Sequence, residues 1–249
     1  MERTDPKKVA ASVLVERYGG ADSLLLAGSV VRAEETATSD LDLIVLYPHV
    51  EQSYRESFTY AGWPIEAFVH DEYTIEYYFV EQDRASGIGS MMWMVHDGVA
   101  IPEPTTLNRR IRLRAQQLLD SGPPTWSVEQ IDRSRYTITG LLDDLAAPRN
   151  GDEYRATLST LYPLVANHFL RVNGQWAASA KTIPRRLLKA DDDLARRYGQ
   201  AFAAAFTEGD SKLLFAVVDQ VLDGSGGRLF EGYSALTDPD SRRSPPCDI

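Results

Sequence analysis

Two stretches of this sequence hold residue types that could do chemistry together. In "SDLDLIVLY", Asp40 and Asp42 stand two apart at the start of a branched apolar run, and "SLLLAGS" ends another apolar run in Gly28-Ser29. Residues two apart on a strand point to the same face, so the two carboxylates would lie side by side. Unpaired, they repel. A divalent cation relieves that repulsion, because hard ions such as Mg²⁺ take oxygen ligands and complete their shell with waters and phosphate oxygens. A glycine at a strand-to-helix bend lets the backbone approach a ligand, while a serine hydroxyl and the first free amides of a helix can bind phosphate oxygens. Each element has a plainer meaning by itself: a polar strand face for Asp-x-Asp, and a tight turn with Ser29 as a helix N-cap for Gly-Ser. Their order is more restrictive: apolar strand, Gly-Ser, ten intervening residues, then Asp-x-Asp opening an apolar strand.

The elements that must position these residues follow from pattern. Asp5 and Pro6 read as N-cap and first turn of a helix with Val9, Val13 and Leu14 on its apolar stripe, stopped by Gly19-Gly20. "SLLLAG" reads as a buried strand, "SVVRA" as a helical turn and "DLDLIVLY" as a strand. "SYRESFTYAGWPIEAFVH" is extended, with Ala61-Gly62 as its turn and Pro64 opening the last strand. A sheet of about four or five strands results. From "DEYTIEYYFVEQDRAS" onward the period changes to 3.6, strands become scarce, and helices are predicted at "SMMWMVHDG" and "TTLNRRIRLRAQQLLDSG". "SGPPTWSVEQ" combines a helix stop, two prolines and a capping box (Ser127, Gln130), which marks a boundary. Helices at "EYRATLSTLYPLVANHFLRV", "DDDLARRYGQAFAAAF" and "DSKLLFAVVDQVL" follow. The expected fold class is α/β of the α+β kind: a small mixed sheet with helices over residues 1–124, then a helical bundle over 125–235, then a polar, Pro-rich tail at 236–249 expected to be disordered.

Composition narrows the partners. A net charge of −10, from 26 basic and 36 acidic residues, disfavours a long nucleic acid, whose binding rests on clustered Lys and Arg. Cys247 is the single cysteine, so no intramolecular disulfide can form. No apolar run reaches membrane-spanning length, and the charged N-terminus lacks a continuous apolar core, so a cytoplasmic protein without a membrane partner is expected. His49, His70, His96 and His168 are scattered without zinc-ligand spacing, and "MMWMVHDG" reads as packed core. "RRIRLRAQQ", with Arg109, Arg110, Arg112 and Arg114, reads as a solvated or interdomain helix face.

Ala27-Gly28-Ser29 and Ser39-Asp40-Leu41-Asp42-Leu43 together resemble the pattern of the DNA polymerase beta superfamily of nucleotidyltransferases, in particular aminoglycoside nucleotidyltransferase-like proteins. That resemblance spans the chain roughly to Tyr233 and implies a nucleotidyltransferase domain followed by a helical substrate-binding or nucleotide-capping domain. It implies a third carboxylate on a neighbouring strand, for which Glu66 in "WPIEAFVHD" is preferred over Asp71, Glu72 and Glu76, which fall at a predicted helix start. Asp40, Asp42 and Glu66 would hold one or two Mg²⁺ ions, with Glu66 either completing the metal site or serving as general base toward the acceptor hydroxyl. Gly28, Ser29 and Arg32 would contact the phosphates of ATP or another nucleoside triphosphate, joined by Lys181 or Arg185 from "NGQWAASAKTIPRRLLKADDD", a segment that also reads as a solvated basic turn. Where relatives often carry glycine after the arginine, this chain has Ala33, then Glu34 and Glu35. The implied activity is transfer of a nucleoside monophosphate, AMP from ATP, to a hydroxyl of a small molecule held between the domains. An aminoglycoside-like cation is one such acceptor, for which "HDEYTIEYYF" offers acids and aromatics, although this segment equally reads as an amphipathic helix. The alternative is a non-catalytic nucleotide-binding or protein-partner module, such as a toxin-antitoxin component.

Overall fold

Asp5 accepts a hydrogen bond from the Lys8 amide and Pro6 presets the first turn, so α1 (Pro6–Arg17) begins where the sequence predicts. The computed structural model describes residues 3–236. The chain divides into two compact units, Met1–Pro124 and Thr125–Ile249. Cys247 and the tail from residue 237 onward lie outside the described residues, as does their expected disorder.

The first unit is built on a five-stranded mixed sheet of β1 (Ser23–Ala27), β2 (Leu41–Leu46), β3 (Tyr54–Tyr60), β4 (Trp63–His70) and β5 (Val99–Ile101), in the order β3-β4-β2-β1-β5. β2 and β4 run parallel, while the other neighbouring pairs are antiparallel. Alternation sorts the side chains. One face sends Leu24, Leu26, Leu41, Leu43, Val45, Ile65, Ala67 and Val69 into a core with Val9, Ala10 and Val13 of α1. The opposite face carries Leu25, Ile44 and Leu46, also fully buried, under the side of the sheet where α3 (Ser90–Asp97) meets β1. Between the two core faces, β2 is apolar on both sides along most of its length, as a central strand should be.

The turn Ala61-Gly62 joining β3 to β4 has positive φ at both residues, 47° and 81°, the two-residue hairpin geometry that matches strand twist. It locks the register at Tyr60↔Trp63, and hence Ser57↔Glu66. β5 is a strand that the sequence pattern did not show, since three residues are too few for alternation to register. The predicted helix after β4 is α2 (Glu72–Tyr77), capped by Asp71, and it continues as a π-helical segment, Tyr78–Arg84. There Asp83 turns inward and accepts the Met92 amide of α3 at 2.7 Å. α4 (Thr106–Asp120) completes this unit.

The second unit consists of α5 (Val128–Ala146), α6 (Gly151–Val172), α7 (Ile183–Ala190), α8 (Asp192–Glu208) and α9 (Lys212–Asp223). Ser127 and Gln130 cap α5 reciprocally, as their spacing predicts. The bundle core includes Leu142, Leu161, Val165, Tyr198, Phe202 and Val218. No helix among the described residues is long and apolar enough to cross a membrane.

Candidate metal and phosphate site

Backbone register decides where the acidic residues go. Asp42 pairs with Ala27 of β1 on one side and with Glu66 of β4 on the other, and Asp40 immediately precedes β2. Asp40, Asp42 and Glu66 each offer a carboxylate oxygen within 4.8 Å of the others, and all three are half-buried. At that spacing two carboxylates repel by roughly 3 kcal/mol at an effective dielectric near 20. Burial of Leu41, Leu43, Ile44, Val45 and Leu46 supplies on the order of 10 kcal/mol, so packing holds β2 in place against the repulsion.

Gly28 has φ of 85°, and a Cβ added there would sit 2.3 Å from Asp42 Oδ2. Any side chain in place of the glycine would therefore displace the Asp42 carboxylate. Ser29 does not cap the short 3₁₀ turn Val30–Arg32 that follows. Its hydroxyl donates to Ser39 Oγ at 3.2 Å, which ties the Gly-Ser bend to the residue before Asp40. Arg3 holds the same loop from outside through the carbonyls of Ala37 (2.6 Å) and Ser39 (3.0 Å), while its guanidinium lies 4.3 Å from the Trp63 ring centre. Ala33 adopts φ of 53°, the left-handed region that favours glycine, so the backbone makes the bend with an alanine.

The oxygen-only donor set fits a hard divalent ion. An octahedral Mg²⁺ at about 2.1 Å from its ligands places adjacent ones about 3 Å apart, so oxygens lying within 4.8 Å of one another would close by at most roughly 2 Å to hold it. The other residues predicted for the site are distributed differently. The guanidinium of Arg32 pairs with Glu34 at 3.0 Å on the surface. Lys181, in the 3₁₀ turn Ala180–Thr182, and Arg185, in α7, are exposed residues of the second unit. Asp71 caps α2 just past the far end of β4, five residues from Glu66, or about 16 Å along the strand direction.

A family model search gives no match for the chain, and no curated protein matches it. The chain is similar to solved structures that include a nucleotidyltransferase-like protein. That protein is from Exiguobacterium sibiricum 255-15, with 14% identity, a TM-score of 0.45, and coverage of 89% of this chain and 76% of that one.

Sequence reasoning passed over Arg55. On β3 it faces Phe68, and its guanidinium reaches Glu66 Oε1 at 2.6 Å while lying 5.0 Å from the Phe68 ring centre. The signal was present: once Ala61-Gly62 is read as a two-residue turn, counting back along β3 places Arg55, Ser57 and Thr59 on the face of Glu66. The acids of "HDEYTIEYYF" are already engaged, Glu72 with Arg110 (2.5 Å) and Glu76 with Arg114 (2.6 Å), as on an amphipathic helix. A cavity of about 350 Å³ lies between these pairs over Ile75, Phe79 and Ile111, and no residue of the carboxylate triad lines it.

Proposed function

We propose that this protein is a divalent-metal-dependent nucleotidyltransferase that moves AMP from ATP to a hydroxyl of a small molecule. The observation that carries this reading is the convergence of Asp40, Asp42 and Glu66 beside a Gly-Ser bend whose glycine is spatially tied to Asp42. Asp40, Asp42 and Glu66 would hold one or two Mg²⁺ ions, whose chemistry is to neutralise phosphate oxygens and orient the α-phosphorus. Ser29 and the backbone of the Gly-Ser bend offer hydrogen bonds to the triphosphate. Across the strand pair, Glu66 completes the carboxylate set or accepts the proton of the attacking hydroxyl. In the reaction the acceptor oxygen bonds to the α-phosphorus, the bond from that phosphorus to the bridging oxygen breaks, and pyrophosphate leaves with the electron pair.

The test is thermal stability with ATP, Mg²⁺ and both together. A ligand at ~100 times its dissociation constant adds about 2.7 kcal/mol. ATP with Mg²⁺ should stabilise the chain well beyond either alone, and Asp42→Asn should remove that gain while leaving the unliganded chain folded, its melt no lower because one repelling charge is gone. An equal response to ATP with and without metal, or a full response in Asp42→Asn, overturns the reading.

A further inference from the structure

The order of strands arranges chemistry in a row along the site end of the sheet. From β1 outward, register places the Gly28 bend beside Asp42, Asp42 beside Glu66, and Glu66 beside Ser57 of β3. Neighbouring strands lie about 4.8 Å apart, so Ser57 stands about 10 Å from Asp42, on the side away from the Gly-Ser bend. If the triphosphate takes the β1 side, the molecule attacked through Glu66 takes the β3 side. β3 is the outermost strand there, and its residues on that face, Arg55, Ser57 and Thr59, are exposed.

What lies on that shelf is a cation over a ring. Arg55, with 56% of its side chain exposed, spans from the Phe68 ring to the Glu66 carboxylate. As a stability device an exposed ion pair of this kind contributes little, too little to explain a guanidinium at a carboxylate of the candidate metal site. A guanidinium is a planar fork matched to carboxylate and phosphate oxygens, and it opposes an ammonium group at the same place. Once a divalent cation takes up the charge of Glu66, the fork can turn to an incoming anion.

We propose that the acceptor is a hydroxyl compound bearing an anionic oxygen group, phosphate or carboxylate, which Arg55 binds on the β3 side of Glu66. This rests on the nucleotidyltransferase reading and replaces the cationic, aminoglycoside-like acceptor with its electrostatic opposite. Ser57 and Thr59 add hydroxyls to the same shelf, and Phe68 stiffens the guanidinium plane.

Calorimetry on the full chain, saturated with Mg²⁺ and a non-hydrolysable ATP analogue so that the triphosphate site is occupied, tests the proposal. The probes are glycerol 3-phosphate, glycerate, neutral glycerol and the cation kanamycin. Glycerol 3-phosphate or glycerate should bind at least tenfold tighter than glycerol, with kanamycin weakest, and the stronger of the two anions identifies the anionic group. Arg55→Ala should abolish the preference over glycerol, and Arg55→Lys should restore part of it, since an ammonium keeps the charge without the fork. Kanamycin as the tightest probe, no preference for either anion, or an undiminished preference in Arg55→Ala overturns the proposal. Failure of the analogue to bind with Mg²⁺ overturns the nucleotidyltransferase reading itself, and is seen separately, before any acceptor is added.

Discussion

Both units of the chain satisfy their buried polar groups, but to different ends. In the first, polar side chains fix loops and strand ends: Asp71 and Asp83 accept backbone amides of the helices that follow them, and Ser29 and Ser39 join two loops at the carboxylate site. In the second, apolar and aromatic packing dominates. Phe202 is buried against Tyr162 and Tyr198 at ring-centre distances of 4.9 and 4.7 Å, and His168 is an enclosed polar group held by the hydroxyls of Ser134 (2.9 Å) and Ser225 (2.8 Å). The contrast teaches that in this chain register and loop bonding set the geometry for chemistry, while ring packing supplies stability.

Three measurements can break or sharpen that contrast. The largest effect is expected from Phe202→Ala, which should cost about 3–5 kcal/mol in denaturant unfolding. Mn²⁺ binding at the carboxylates under native conditions should be unchanged; a weakened metal site would show that stability and chemistry are not divided this way.

Acid comes next. Burial pushes the His168 pKa down to about 4 from 6.5, with a further contribution from Arg135. Below 6.5 the unfolded chain takes up a proton that the folded one refuses, so His168 should lower stability by about 2–3 kcal/mol as pH falls from 6.5 to 4.5. In the first unit His70, also pushed down to about 4 by burial, acts in the same direction, but burial raises Asp83 to about 6. The folded state then keeps a proton at Asp83 that the unfolded chain loses, and that contribution grows as pH falls, offsetting His70. Fluorescence of Trp126, whose ring meets the His168 ring at 6.1 Å, should therefore report acid-sensitive unfolding that His168→Gln flattens. A flat wild-type profile would count against the enclosed neutral histidine.

The smallest stability change is expected at Gly28. Gly28→Ala forces a side chain into the left-handed region, costing about 1–2 kcal/mol, and pushes on the Asp42 carboxylate. Its larger consequence should be at least a tenfold loss of Mn²⁺ affinity. Retained affinity would mean that Asp42 can move without harm, and that the glycine serves only the turn.

Much of this was legible in the sequence because the informative residues obey short-range rules. Asp5, Ser127 and Gln130 cap helices at the predicted places, and the alternation in "DLDLIVLY" is seen directly as a buried central strand that begins at the aspartates. The adjacency of Asp42 and Glu66 is a matter of a parallel pairing that no local pattern encodes; it came from the resemblance, and the structure brings the carboxylates together. β5 was too short to show a period, and the π-helical segment has the same apolar pattern as an α-helix. Arg55 escaped notice because its importance depends on which strand lies beside β4, although the hairpin already stated it.

On the proposed function, that hairpin would act as a ruler for substrate choice. Adding or removing a single residue between Tyr60 and Trp63 would invert the outer strand, so that Glu56 and Phe58, now on the α1 side, would flank Glu66 in place of Arg55 and Ser57. A length change of one residue in the turn would thus reverse the electric sign of the shelf. The carboxylates themselves would be left untouched.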